Sequence, residues 1–353
     1  VKENCVSIAG LARQGLDMNG IQGSARFILV GTGPFGVPAF RRLIGGRHAV
    51  VAVVTSPVKS AGPGVAEAAP VRKLALEHGL PILDPADINS SEARSRIAGL
   101  SPDLLVVCDY GQILSAETLA TARLGGLNLH ASLLPKYRGA APIPWAIYHG
   151  ETETGVSVIH MTPQVDAGPV IAQVATPIHP EETAGQLEQR LAELGASVLA
   201  EAVDRVIRGE AQPIPQDPRL ASKAPRLKKT DGLIDWRRPA IAIKNQVRAM
   251  DPWPRACTFW FRDKSGPLRL ILARVQALET GFEPAEPGTI VHVRERLVVA
   301  AGAAFVELLQ IQPEGKRLMS AEEFLRGYRL RVGDRLGTPP QELAAKNSLG
   351  PSG

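Results

Sequence analysis

At 353 residues the chain exceeds the usual size of one compact domain, so two domains are expected. With 44% hydrophobic and 21% charged residues it is globular and able to bury a large core. A net charge of +5 is modest, and no apolar run approaches the ~18 residues needed to cross a bilayer, which excludes a helical membrane protein.

Residues 1–24 carry Lys2 and Arg13 but no apolar stretch of the signal-peptide kind. They are read as a disordered extension, with Met18 as an alternative start. An apolar run over 26–30 ends at Gly31-Thr-Gly-Pro-Phe-Gly36 and leads into a helix through Leu43. A strand at 49–55, a Pro/Gly-rich loop at 57–70, a helix at 71–78, a short strand at 81–83 and a helix at 92–99 follow. The continuous apolar run 104–108 has the pattern of a parallel strand covered on both faces. Further strands are expected at 127–130 and 155–161, and one amphipathic helix over 183–208. Alternating strands and helices of this kind predict an α/β fold, a doubly wound, mostly parallel Rossmann-like sheet. Pro213, Pro215 and Pro218 mark a linker at 211–224. Beyond it, a short helix at 241–248 precedes strands at 257–261, 268–275, 288–293, 297–300 and 305–311, the density of a small OB-fold-like β-barrel. The expected layout is therefore an α/β domain over 25–210, the barrel over 225–332 and a flexible tail over 333–353.

Three cysteines, Cys5, Cys108 and Cys257, are far apart and odd in number, which fits a reducing cytoplasm and neither a disulfide framework nor a zinc site. Cys108 ends an apolar run and is expected in the core. Nowhere do His, Cys and carboxylates cluster at metal-ligand spacing, so no metal is expected. Charge is unevenly placed. From residue 223 to 331 there are 20 Lys/Arg against 12 Asp/Glu, whereas the preceding 222 residues have 18 against 21. A catalytic domain joined to a polyanion-binding domain has this asymmetry, and so has a domain with a merely solvated basic face.

The most informative stretch reads NLHASLLPKYRGAAPIPWA, from Asn128 to Ala146. In a strand, Asn128 and His130 share one face and Leu127 and Leu129 the other. A loop then carries Ser132, Leu133, Leu134 and Pro135, followed by the cationic turn Lys136-Tyr137-Arg138-Gly139. A strand end with an amide donor, an imidazole and a loop is where an open α/β sheet keeps its ligands. The spacing Gly31-x-Gly33-x-x-Gly36 matches the dinucleotide fingerprint, with a strand before and a helix after. However, the next strand ends at Thr55-Ser56 with no carboxylate for a ribose hydroxyl, and Pro34 lies inside the motif. A tight packing turn, or one that brings backbone near some other anion, is the better reading.

NLHASLLPKYRGAAPI, with ETGVSVIHMTPQVDAGPVI downstream, resembles the folate-dependent formyltransferases, and the likeness runs from about residue 26 to 330. The resemblance implies 10-formyltetrahydrofolate as formyl donor and, within that family, charged initiator tRNA bearing methionine as acceptor. It also implies a catalytic trio of Asn128, His130 and Asp166. Chemically, Asn128 would donate to the oxyanion of the tetrahedral intermediate. An imidazole at His130 would donate to it or move a proton, and Asp166 would orient that imidazole and accept the amine's proton. Ser132, Leu133, Leu134 and Pro135 resemble the folate-contacting segment, with leucines flanking the pteridine and backbone groups reading its edge. Arg138 and Lys136 are candidates for an anionic part of a substrate, and for Arg138 a loop brace or a solvated side chain is an equal reading. His149 and His160 are read as structural.

One departure stands out. The bacterial tRNA enzymes carry a basic loop after the second strand, patterned like PAGRGKKL. Here residues 57–70 keep Ala61-Gly62 and Gly64, but Pro63 replaces the Arg and Lys59 is the one cation, offset by Glu67. Acceptor-stem recognition has then moved, or the acceptor is a small amine such as a nucleotide sugar or glycinamide ribonucleotide, or water. A nicotinamide oxidoreductase built on the glycine turn and a non-catalytic RNA-binding protein are the readings from other classes. The chain is expected to act in the cytoplasm as a monomer, with folate and tRNA as partners and no membrane.

Overall fold

The computed structural model describes residues 23–58, 69–262 and 266–338. The expectations for residues 1–22, for the loop at 59–68 with Lys59 and for the tail beyond 338 lie outside them. No helix among the described residues is long and apolar enough to cross a membrane. The chain divides into two compact units. One comprises residues up to Pro142, Glu153–Pro177 and Glu188–Pro225, and the other Ile143–Thr152, Ile178–Leu187 and the chain from Arg226 on.

The first unit is built on strands β1 (Arg26–Gly31), β2 (Ala49–Val54), β3 (Ile82–Leu83), β4 (Leu104–Cys108), β5 (Gly126–His130), β6 (Glu153–His160) and β7 (Val170–Pro177), in the order β3-β2-β1-β4-β5-β6-β7. The pairs from β3 to β5 are parallel, and β6 and β7 join antiparallel. Helices α1 (Val37–Ile44), α2 (Pro70–Glu77) and α3 (Ser91–Gly99) connect the parallel strands. All five residues of β4 are buried, as its unbroken apolar run requires. Helix α3 starts where Ser90 accepts the Ala93 N–H at 3.2 Å, a side-chain cap on otherwise orphaned backbone. Because the chain leaves β1 toward one edge and returns through β4 toward the other, the carboxyl ends of β1, β4 and β5 border the crevice of a topological switch point.

Strand β7 was not expected from the sequence. It lies at the sheet edge with Ile171 as its one buried residue, and Gln173, Val174 and Ala175 face solvent, so it lacks an apolar alternation. After a four-residue helix, α4 (Ala116–Leu119), and α5 (Pro142–Tyr148), the long helix α6 (Ala184–Ile207) matches the amphipathic stretch, burying Leu187, Leu191, Val198 and Val206.

In the second unit, α7 (Ala240–Ala249) precedes an antiparallel sheet of β8 (Cys257–Phe261), β9 (Leu268–Leu278), β10 (Ile290–His292), β11 (Leu297–Ala300), β12 (Phe305–Pro313), β13 (Met319–Ser320) and β14 (Arg335–Gly337), with α8 (Ala321–Gly327) between the last two. The order is β10-β11-β12-β9-β8-β14, and β13 pairs with β12. The Leu336 N–H donates to the Gly288 carbonyl at 2.7 Å, and Thr289 bridges Arg335, so the sheet curls into a nearly closed barrel. This closure falls within the stretch expected as a flexible tail from 333. Residues 335–337 are the closing strand, legible only once Trp260 and Phe259 supply a partner edge.

Candidate active site

Three segments of the first unit meet at the carboxyl end of β5. Register pairs Val107 with Asn128, so Asn128 and His130 lie beside the end of β4. Leu129 lies against Gly195 of α6 on the opposite face, as strand alternation requires. The Asp166 turn follows β6 and brings its carboxylate to both polar residues. Asn128 Nδ2 donates to Asp166 Oδ1 at 3.2 Å, and His130 Nδ1 stands 3.6 Å from Asp166 Oδ2. The Gly139 N–H donates to that same Oδ2 at 2.9 Å. Asn128, His130 and Gly139 thereby share one carboxylate, 38 positions beyond Asn128.

The far side of the imidazole fixes its tautomer. His130 Nε2 is 2.9 Å from the Tyr137 carbonyl oxygen, which only accepts, so Nε2 carries a hydrogen and donates it. Nδ1 is then the nitrogen that faces the Asp166 carboxylate. The His130 and Asp166 side chains are 6% and 12% exposed, so the two groups face each other largely out of water. Asn128 is half-buried near the carboxyl end of β5. One of its two amide hydrogens goes to Asp166, and the other is directed away from it for a further acceptor.

The loop after β5 is held from several sides. Tyr137 has φ 62° and Asp166 φ 48°, left-handed conformations that cost a non-glycine residue about 1–3 kcal/mol and persist only under firm constraint. The Tyr137 N–H donates to Ser222 Oγ at 2.9 Å, and backbone bonds link Arg138 with Ser222 and Ala224. Gly139, at φ 126°, passes so close to this strip that a Cβ would fall 2.5 Å from the Ala224 carbonyl oxygen. The stretch 211–224, expected as a linker, is therefore partly bound along the first unit, with Ile214 also bridged to Val170.

Arg138 is a brace. Its Nε and Nη2 donate to Gln216 Oε1 at 3.0 and 2.6 Å, and Gln216 Nε2 in turn donates to the Asp166 and Gly168 carbonyls at 2.8 and 2.7 Å. Lys136 is exposed on the same loop.

The segment Ser132–Pro135 is equally well anchored. Ser157 Oγ donates to the Ser132 carbonyl at 2.6 Å and accepts the Leu134 N–H at 3.1 Å. Gln173 Nε2 reaches the Leu134 carbonyl at 3.0 Å, and Ser132 Oγ donates to the Lys136 carbonyl at 2.6 Å. The backbone groups expected to read a pteridine edge are thus mostly taken. Leu134 is buried, leaving half-buried Leu133 and Pro135 as the surface this segment offers. Ser157, Gln173, Gln216 and Ser222 escaped the sequence reading. No short motif contains them, and the Pro-x-Pro-Gln setting of Gln216 signals only an extended strip.

The glycine turn is packed against the end of β4. The Thr32 and Gly33 N–H groups donate to the Asp109 carbonyl at 2.9 and 3.4 Å, and a Cβ on Gly33 would fall 1.6 Å from Asp109 Oδ2. A carboxylate occupies the space over which a dinucleotide pyrophosphate would sit, and Thr32 Oγ1 meets Ser56 Oγ at 3.0 Å where a ribose-binding acid would stand. Calorimetry is expected to find no saturable binding of NAD or NADP, and micromolar binding of either would restore the oxidoreductase reading. Near this turn, burial and the Asp109 charge push the Glu188 carboxyl up. Burial pushes the fully enclosed Cys108 thiol up, so it is a core residue and no nucleophile. His160 is buried with Nε2 3.0 Å from the Leu124 carbonyl, and exposed His149 stacks on Trp145. Among the described residues no group of three or more His, Cys, Asp or Glu is placed to hold a metal ion.

Residues 25–203 match the formyl transferase family and residues 226–329 match the formyl transferase C-terminal domain. The chain belongs to the formyl transferase family. This formyl transferase is 44% identical over 330 residues to a methionyl-tRNA formyltransferase of Rhodopirellula baltica, an alignment covering 90% of this chain and 98% of that protein. It is 43% identical to one of Citrifermentans bemidjiense, over 88% of this chain and 96% of the other. Among solved structures, it superposes on a sugar 3N-formyl transferase crystallised with dTDP and 5-N-formyl-THF, with TM-score 0.58, 18% identity, and 84% and 100% of the two chains covered. An N-formyltransferase from Helicobacter canadensis, in complex with folinic acid and dTDP-3-aminofucose, gives TM-score 0.60 at 17% identity, over 80% and 98% of the chains. These two share the fold.

Proposed function

We propose that this formyl transferase moves the formyl group of 10-formyltetrahydrofolate onto the α-amino group of methionine carried by initiator tRNA. The observation that carries the chemistry is the shared Asp166 carboxylate, which holds an amide donor and an imidazole at one strand end. The acceptor comes from relatives named methionyl-tRNA formyltransferase, matched over 96% or more of their own length.

In this reading the neutral amine attacks the formyl carbon, and the carbonyl oxygen becomes an oxyanion. The second Asn128 N–H meets that oxygen, in a site where fixed dipoles need no reorganisation as charge develops. The attacking nitrogen gives its proton to the His130–Asp166 pair, and the folate N10 takes one as its bond to the formyl carbon breaks. The pair is suited to this because Nδ1 faces a carboxylate while Nε2 stays anchored on the Tyr137 carbonyl. Folate is assigned to the surface of Leu133 and Pro135 within the Ser132–Pro135 segment. Exposed Lys136 and the basic second unit are the groups assigned to the acceptor's phosphates.

One feature favours a second reading, in which the acceptor is a small amine. The loop at 57–70 has Lys59 as its one cation, too little for a phosphate grip. Both readings are tested in one assay, formyl transfer from 10-formyltetrahydrofolate to charged initiator tRNA, with uncharged tRNA and a dTDP-amino sugar as alternative acceptors. Product on the charged tRNA alone is expected. Product on the amino sugar and none on the tRNA would replace the first reading with the second.

A further inference from the structure

Asp166 is constrained at both ends, and one side chain from the connecting strip joins the two constraints. At its backbone, Gln216 Nε2 donates to the carbonyls of Asp166 and Gly168. At its carboxylate, Oδ2 accepts the Gly139 N–H. Residue 139 follows Arg138, whose guanidinium donates twice to Gln216 Oε1. These contacts close a ring that runs from the Asp166 carbonyl through Gln216 and Arg138 to Gly139 and back to the Asp166 carboxylate. Only one orientation of the Gln216 amide satisfies it, because a flipped amide would set oxygen against two carbonyls and NH2 against a guanidinium. The left-handed backbone of Asp166 needs such constraint.

We propose that Gln216 is a positioning residue for formyl transfer, fixing the Asp166 turn against the Arg138 loop and so aiming the carboxylate at His130 and Asn128. The inference rests on the reading of Asp166 as catalytic. Gln216 touches neither the Asp166 carboxylate nor His130, and acts through the backbone that carries them. A displaced reacting group costs rate and leaves substrate binding intact, since the chemical step depends steeply on geometry.

The test uses the full-length chain. Gln216→Ala is expected to lower kcat about 10- to 100-fold, with KM for folate and for acceptor within about twofold of wild type. In an Asp166→Ala background the same substitution should lower the residual single-turnover rate less than about twofold, because the group it aims is gone. A merely structural role would reduce the rate by the same factor in both backgrounds. Gln216→Met, of matching length, and Arg138→Ala, which opens the ring at its other side, should repeat both results. They serve if Gln216→Ala does not fold, and Arg138→Ala with raised acceptor KM and unchanged kcat would instead make Arg138 a substrate contact. Wild-type kcat in folded Gln216→Ala or Gln216→Met, or equal losses in both backgrounds, would overturn the proposal while a crippled Asp166→Ala kept the catalytic reading. Wild-type kcat in Asp166→Ala would overturn both.

Discussion

Replacing Asn128 by alanine is expected to lower kcat for formyl transfer about 100-fold or more, the usual scale for a lost oxyanion donor. KM for folate and for acceptor should stay near wild type, because the second amide hydrogen meets charge that exists only during the reaction. The expectation follows from how the amide is engaged. Its bond to Asp166 Oδ1 holds the half-buried group in place, so the remaining N–H is fixed in direction. Steady-state rates with each substrate varied in turn would decide it, and a near-normal kcat would remove Asn128 from the mechanism.

The second large effect is expected for the pair beside it. His130→Ala and Asp166→Ala should each lower kcat by about 10²–10⁴-fold, the range for loss of proton transfer by a positioned group. Combined, they should cost far less than the product of the two losses, because each is useful only with the other present. The separation of 3.6 Å between Nδ1 and Oδ2 and the burial of both groups are what couple them. Full multiplicative losses in the double variant would show that the two side chains serve separate steps. Asp166→Asn is a sharper variant, since it preserves size and removes the charge opposite Nδ1.

Much of the catalytic unit was legible because its signals are local. An unbroken apolar run made β4, and alternating polar and apolar residues put Asn128 and His130 on one face of β5. What stayed hidden depends on partners distant in sequence. Strand β7 has one buried residue and becomes a strand because β6 offers an edge, and β14 forms only where β8 and Gly288 receive it. Arg138 illustrates the same limit within the site. Its residue type suits a substrate phosphate as well as a brace, and the partner that favours a brace, Gln216, lies 78 positions away. The glycine turn was read against its motif, as a packing turn. Its motif is that of a dinucleotide site, yet Asp109, on a different strand end, fills the space the motif would offer.

The second unit is interleaved with the first along the polypeptide, and this bears on its modularity. Tyr148 of α5 receives the Arg238 guanidinium at 2.7 Å, and Glu181 pairs with buried Lys244. Arg248 donates to the carbonyls of His179 and Glu182 at 3.2 and 3.0 Å, and the Gly185 N–H reaches the Asp251 carbonyl at 3.1 Å. All of these partners are encoded before the connecting strip. Severing the chain at that strip would therefore not release a freestanding barrel. The carboxy-terminal fragment would keep a buried ammonium and half-buried guanidinium groups stripped of their counterparts. During synthesis the early pieces emerge first and wait for the later ones, so the barrel closes only after residue 337 has left the ribosome. A gene fusion that borrowed this barrel would have to carry α5 and the segment 178–187 with it, three separate stretches of one sequence inherited together.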